Sequence, residues 1–262
     1  MANFADLLGS VIQNNLGPSG QQRIGNALQD LQASLGQLSG GGAAGAGMGG
    51  VLGSLLGAAG NSLAGASQNP LQAGGLGAVL GSLVGGGGQS VKGALSGGAL
   101  AMIAGVAYKA LMNANQGGGA QAPFSGGNLP LGLLPPQTPA EEQVVEQKTQ
   151  LIIKGMMNIA KSDGEISGGE IQRILGKAQE SGLGSEEQAW MMAEMSKPLN
   201  LDAFVAEIPN QEVAAEIYAA SLLAVEVDTD EEREYLRQFA DKTELQPSVV
   251  QMIHQTLGMP AV

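Results

Sequence analysis

Two short acidic turns carry the residues whose types and spacing could do chemistry. In the first, Asp163, Glu165 and Glu170 fall within eight residues, between two apolar helical patterns. In the second, Asp228 and Glu232 stand in the same relation to their own flanking helices. Hard divalent cations such as Ca²⁺, Mg²⁺ or Mn²⁺ bind several oxygen ligands at about 2.0 to 2.6 Å. Two such turns brought together would therefore suit one divalent cation.

The same acids also have a purely structural interpretation. Acidic side chains in a first helical turn stabilise the helix through capping and the macrodipole, without any ligand. A complete EF-hand is excluded, because the twelfth position counted from Asp163 is Ile174, where a bidentate Glu is required. The sequence leaves two readings open, a weak cation site and a set of helix caps.

Other reactive constellations are missing from the sequence. The chain has no cysteine and one histidine, His254, which excludes thiolate chemistry and a Cys/His metal site. It contains no phosphate-binding loop, nucleophile elbow or zincin motif. We therefore predict a non-enzymatic protein, and no small-molecule substrate is identified. His254 is predicted to have a structural role at the surface or core edge, and Trp190 is predicted to anchor the core of the bundle.

The two parts of the chain differ in net charge. Residues 141–262 carry 22 acidic against 9 basic side chains, a formal charge of 13 negative, whereas the preceding part is about neutral. Phosphate contacts need clustered Lys and Arg, so nucleic acid is excluded as a partner. Cations or basic proteins are the electrostatically favoured partners of the acidic part.

The acidic part, residues 138–262, is predicted to be a bundle of about seven helices. Apolar residues recur at spacings of three and four, with connections of two to six residues and no strand-like alternation. Helix starts are signalled at Thr138, Ser167, Asn210 and Thr229, and Pro247 begins the last helix. The fold class is therefore all-α.

An internal half-repeat runs through this bundle. Each half has an apolar helix, an acidic turn and a second helix. Aligning Asp163 with Asp228 places Glu170 and Glu232 at the first turn of the helix that follows. The repeat therefore predicts that the two acidic turns occupy equivalent positions in two similar structural units.

The first half is organised differently. Residues 1–38 are predicted to form short amphipathic helices, and residues 39–92 are a low-complexity region of Gly, Ala and Leu. Glycines recur there at every fourth position, a spacing that lets helices approach closely. This region is either a flexible linker or a self-associating zipper. Residues 115–137 are rich in Pro and Gly and are predicted to be a linker.

Residues 93–114 are the strongest membrane candidate. The uncharged stretch 93–108 is shorter than the roughly 20 residues that a spanning helix needs, but extension past Lys109 lengthens it. Tyr108 and Lys109 resemble interfacial anchors. The segment is either a transmembrane or membrane-associated helix, or a buried or self-associating helix of a soluble protein.

Several longer blocks carry a family resemblance. They are AspGlyGluIle from Asp163 followed by Glu170, LysProLeuAsnLeuAsp from Lys197, the run Glu216–Thr229 and GluArgGluTyrLeu from Glu232. Over about Thr138–Gly258 the chain resembles the TerB-like (tellurite-resistance) superfamily, and within it the YebE-like bacterial inner-membrane proteins of unknown function. An AlaTyrLysAla element at Ala107–Ala110 is also similar to that family.

The resemblance implies a helical domain whose acids chelate metal. Carried over by position, these are Asp163, Glu165, Glu170, Asp228 and Glu232, although Thr229 stands where the family more often has glycine. It further implies an inner-membrane protein with a cytoplasmic C-terminal domain, acting as a scaffold or sensor in envelope or metal stress. The alternative is a cytoplasmic, self-associating interaction protein whose acidic turns are only helix caps.

Overall fold

The computed structural model describes residues 4, 8–9, 18–40, 91–116, 131–132, 136, 138–164, 185–225 and 227–260. Within these ranges the elements are all helical and no β-strand is present, so the all-α prediction is confirmed. The eight helices are α1 (Pro18–Gly40), α2 (Val91–Gln116), α3 (Pro139–Ala160), α4 (Ser185–Met195), α5 (Leu201–Val205), α6 (Gln211–Ala224), α7 (Asp230–Lys242) and α8 (Pro247–Leu257).

Some predicted features lie outside the described residues. These are Glu165, Glu170, the predicted helix from Ser167 to Ala178, and most of the low-complexity region 39–92 and the linker 115–137. Six of the seven or so helices predicted for residues 138–262 fall within the described ranges.

Helix starts follow from local capping chemistry. Thr138 accepts a hydrogen bond from the amide of Glu141 at 3.2 Å, and Asn210 accepts one from the amide of Val213 at 3.0 Å. Asn200 caps the short helix α5 in the same way, at 3.0 Å from the amide of Ala203. Each such cap satisfies an amide that the helix cannot, and contributes about 1 kcal/mol.

Helix α6 forms the centre of the fold. Every residue from Val213 to Leu223 is buried. Helix α3 packs against one part of its surface and helix α2 against another, while α1, α7 and α8 complete its surroundings. A helix that is covered on all sides needs apolar residues around most of its circumference, as α6 has.

Gly155 allows the closest approach between α3 and α6. A Cβ atom built on Gly155 would overlap the Cγ2 atom of Ile217. The absence of a side chain at this position therefore sets the spacing of the two helices.

We expect Gly155→Ala to destabilise the protein by about 1–3 kcal/mol, because the added methyl group overpacks the α3–α6 contact. Urea denaturation followed by the fluorescence of Trp190 measures this change. Gly25→Ala in α1 is the matched control, since open space surrounds Gly25 and alanine favours the helix by up to about 1 kcal/mol. Equal changes in the free energy of unfolding for the two substitutions would contradict the close contact between Gly155 and Ile217.

Helix α2 contains the segment 93–114 and lies in the protein core. Leu100, Ile103, Val106, Ala107 and Ala110 are fully or almost fully buried. The helix packs against α6 and α8, and its apolar side chains join those of α3, α6 and α8 in one hydrophobic cluster. Among the helices described, none is both long and apolar enough to cross a membrane.

Candidate functional site

The second acidic turn is built around a capping box. One carboxylate oxygen of Glu232, Oε2, accepts hydrogen bonds from the amide of Asp228 at 3.1 Å, the amide of Thr229 at 3.2 Å and the hydroxyl of Thr229 at 3.0 Å. The amide of Glu232 in turn donates to the Thr229 hydroxyl at 3.2 Å. Glu232 is buried, and its Oε2 atom is already occupied by these three protein donors.

The neighbouring acids of this turn face solvent. Asp228 and Asp230 are exposed, and Arg233 donates to the Asp228 carbonyl at 3.2 Å and to the Asp230 carboxylate at 2.8 Å. The Asp228 carboxylate is therefore the group of the predicted second-turn pair that lies open to a cation in solution.

The first acidic turn is described from Ser162 to Gly164. The hydroxyl of Ser162 donates to the carbonyl of Ile159 at 2.6 Å, which closes the end of α3. Asp163 is exposed, and Gly164 has a φ of 149°, a backbone conformation that L side chains rarely adopt. Within the described ranges, no three Asp, Glu or His side chains are grouped closely enough to hold a metal ion.

Lys161 fixes the first acidic turn to helix α4. Its ammonium group donates to the carbonyls of Glu194 at 2.7 Å and Lys197 at 3.0 Å, at the C-terminal end of α4. Burial lowers the pKa of Lys161, and the Glu194 carboxylate opposes this effect. A cation at a helix C-terminus is favoured by the macrodipole, so Lys161 stabilises the C-terminal end of α4.

A buried charge cluster joins α3, α6 and the segment before α3. The ammonium group of Lys148 lies 2.9 Å from Glu216 Oε1 and 3.1 Å from Glu212 Oε1, and it also donates to the main-chain carbonyl of Leu131. We call Lys148, Glu212, Glu216 and this carbonyl the Lys148 cluster. Lys148 is 4% exposed and Glu216 is 0% exposed.

Glu216 has an unusual environment within the Lys148 cluster. Its second oxygen, Oε2, is buried and has no hydrogen-bond partner. Burial raises the pKa of Glu216 from its ordinary value of 4.5 to about 7, while the charge of Lys148 and its hydrogen bond to Glu216 act in the opposite direction. The carboxyl group therefore titrates near neutral pH.

Sequence reasoning missed the Lys148 cluster, although a signal was present. Glu216 lies between Val213 and Ile217 on the most apolar helix of the second half, and Lys148 lies one turn before Ile152. Opposite charges on the apolar faces of two helices indicate a buried pair. The partners are 68 residues apart, so the sequence pattern does not show that they meet.

His254 is a structural hydrogen-bonding residue. The carbonyl of Pro260 can only accept, so His254 Nδ1 donates to it at 2.6 Å and Nε2 accepts from the Tyr218 hydroxyl at 3.0 Å. Burial lowers the pKa of His254, which favours the neutral ring that this arrangement requires. The residue was predicted to lie at the surface or core edge, and it is fully buried.

Arg23 connects the first helix to the central one. One guanidinium nitrogen donates to the carbonyls of Leu222 at 2.5 Å and Val225 at 2.6 Å, at the C-terminal end of α6. These carbonyls have no partner within the helix, so the arginine satisfies them and complements the macrodipole. No sequence pattern signals this contact, because about 200 residues separate the two partners.

Comparison with known proteins places the chain in a family. The family described as "Protein of unknown function (DUF533)" matches residues 67–257. A Yersinia enterocolitica protein, described as an uncharacterized protein in the ampR 5′ region, is 28% identical over 101 residues, which make up 38% of this chain and 73% of the relative. No solved structure matches the chain. Since the family match extends over well more than half of the sequence, this protein belongs to the DUF533 family.

Proposed function

We propose that this protein is a non-enzymatic, TerB-like helical module that binds divalent cations at its acidic turns and acts as a scaffold or sensor in envelope or metal stress. The observation that carries the proposal is the location of the charged side chains and the groups that they contact. The charged groups buried in the described part of the chain connect or cap helices, as Lys148, Lys161 and Glu232 do. Exposed acids remain at both turns, at Asp163 and Asp228.

The acidic surface supports cation binding rather than catalysis. Beyond the turns, Asp230, Glu231 and Asp241 on α7 are exposed, and residues 141–262 have a formal charge of 13 negative. A surface of one sign raises the local concentration of counter-ions. Binding through a few exposed carboxylates is expected to be weak, with a Kd of about 10⁻⁴ to 10⁻³ M.

We place this module at the cytoplasmic face of the inner membrane. The support is the similarity to YebE-like proteins and the glycine repeat in residues 39–92, whose spacing suits close helix association in lipid. The same repeat could join copies of the chain or bind a protein partner.

A second candidate function is favoured by the capping box of Glu232. The hydrogen bonds to its Oε2 already serve the start of α7, as a helix cap requires. In this alternative the protein is a cytoplasmic, self-associating interaction protein and both acidic turns are structural only.

Calorimetric titration of the full chain separates the two candidates. We expect Ca²⁺, Mg²⁺ or Mn²⁺ to bind at submillimolar to millimolar concentration, and the double substitution Asp163→Asn with Asp228→Asn to weaken binding about tenfold or more, because it removes two carboxylate ligands. Asp241→Asn is the matched control, since its side chain is 73% exposed on α7 away from the turns. Absence of heat up to millimolar metal, or equal effects of the control and the double variant, would favour the cap-only alternative.

A further inference from the structure

The chain between α2 and α3 touches the bundle at Leu131 and Gly132. The Leu131 carbonyl accepts from Lys148 on α3. Gly132 has a φ of 115°, and a Cβ atom built there would lie 3.1 Å from Cγ of Leu100 on α2. This short stretch is therefore held between the Lys148 cluster and helix α2, and Lys148 links it directly to Glu216.

The charges within the Lys148 cluster do not balance when both carboxylates are ionised. One ammonium group then faces Glu212 and Glu216, which leaves a net charge of one negative at a site where Lys148 and Glu216 are buried and Glu212 is 20% exposed. A proton on Glu216 makes the cluster neutral. The unpartnered Oε2 atom of Glu216 adds to the imbalance, because a buried ionised oxygen requires a donor that the described protein does not provide.

We propose that the Lys148 cluster makes the docking of the chain at Leu131 depend on pH, so that the segment stays docked in weakly acidic solution and undocks as Glu216 ionises. Undocking admits water to the cluster, and water supplies the hydrogen bonds that Oε2 lacks. Lys148 retains both carboxylates as partners when the Leu131 carbonyl leaves.

The direction of the effect follows from proton linkage. In the docked state burial holds the pKa of Glu216 at about 7, whereas in a hydrated, undocked state it returns toward 4.5. The docked state therefore binds more protons between these values. Docking is strongest at the acidic end of this range and weakens as the pH rises through about 7.

The groups facing Glu216 are Lys148 across the α3–α6 contact and Glu212 one turn earlier on α6. The paired side chains on the other helices around α6 contact groups other than Glu216. Burial raises the pKa values of Tyr218 and Tyr235 far above neutrality. These partnered residues are Arg23 with the carbonyls of Leu222 and Val225, Lys109 with Asp30, Glu232 with Thr229, Arg233 with Asp230, and His254 with Tyr218.

The chain has no cysteine, so a single introduced thiol reports on docking. We would measure the rate at which a disulfide reagent modifies Leu131→Cys from pH 5.5 to 8.5, divided by the rate for the same variant unfolded in urea. We expect this ratio to rise about tenfold or more as the pH is raised through 7. Each unit by which undocking lowers the pKa of Glu216 changes the docking equilibrium by a factor of ten. Met192→Cys, at a side chain 49% exposed, is the control whose ratio stays constant.

Two variants and a label-free measurement make the test decisive. Glu216→Gln should abolish the pH dependence, and Glu212→Gln should move the midpoint to lower pH, because it removes a charge that raises the pKa of Glu216. Hydrogen exchange at the amides of Leu131 and Gly132 in the unmodified chain, corrected for the intrinsic rate, should accelerate over the same range. A flat ratio, a response retained in Glu216→Gln, or an unmoved midpoint in Glu212→Gln would overturn the proposal. If Glu216→Gln does not fold, the Glu212→Gln midpoint decides.

Discussion

Replacing Lys148 by methionine is expected to lower the free energy of unfolding by about 3–5 kcal/mol. The substitution removes the single cation from a site where Glu216 is fully buried, and it deprives the Leu131 carbonyl of its donor. Leaving a buried charge without its partner costs more than the pair itself contributes. Chemical denaturation at pH 6.5, where the chain at Leu131 is docked and Glu216 is partly ionised, measures the loss.

The double variant Lys148→Met with Glu216→Leu separates charge from packing. Replacement of a buried ion pair by apolar residues of similar volume is often neutral or stabilising. We therefore expect the double variant to recover most of the stability that Lys148→Met loses, so that the effects of the two substitutions are strongly non-additive. If the double variant is as unstable as the sum of the two single variants, the pair does not act as a unit.

Truncating Ile103 to alanine is expected to cost about 2–5 kcal/mol in the unfolding of the whole bundle. Ile103 is fully buried in α2, within the cluster that also contains residues of α6 and α8. Loss of its side chain leaves a cavity that the surrounding helices cannot fully collapse into. Trp190, the single tryptophan of the chain, lies on α4 and reports the unfolding of the second half by fluorescence.

The position of the reporter makes the Ile103 experiment specific. Trp190 lies on α4 and its ring packs edge-on against Phe4 at 4.7 Å, so a shift in its transition shows that α2 stabilises the core that joins both parts of the chain. Val144→Ala on α3 is the control, since Val144 is 46% exposed and its truncation should change stability by no more than about 0.5 kcal/mol. An unchanged Trp190 transition in Ile103→Ala would mean that α2 is not part of the same cooperative core.

The helix starts could be predicted because capping is local. A Thr or Asn side chain reaches an amide only three residues away, so Thr138, Asn210 and Thr229 identify their helices without knowledge of the rest of the fold. The all-α class followed from the same short-range patterns. The structure confirms these starts.

The placement of helix α2 could not be decided from its sequence. A helix that is apolar around most of its circumference suits a protein interior and a bilayer alike. What decides between them is the cover that α6 and α8 provide, and these helices begin 95 and 131 residues after α2 ends (211 − 116 and 247 − 116). Long-range partners also explain why Arg23 and the Lys148 cluster were not predicted, since each joins residues separated by 17 to about 200 positions.

For the acidic turns, the local position of the acids could be predicted from the sequence, whereas their arrangement in space could not. Asp228 was predicted to lie between two helices and Glu232 in the first turn of the second, and both lie there; the structure adds that Glu232 caps α7 while Asp228 stays exposed. Whether a cation joins these groups remains a prediction, because it depends on side chains of both turns converging in space. Glu165 and Glu170 lie outside the described residues.

Paramagnetic relaxation by Mn²⁺ tests the proposed cation binding most directly. In a ¹⁵N-labelled full chain, substoichiometric Mn²⁺ should broaden the amide signals of Gly164 and Thr229 first, because each follows an exposed aspartate of the predicted site. The amide of Asp241, an exposed acid on α7 outside the two turns, should broaden only at higher concentration. Selective loss of the two turn signals, reversed by excess Mg²⁺ or Ca²⁺, is the result we predict. Uniform broadening across all exposed acids would contradict a cation site at the turns.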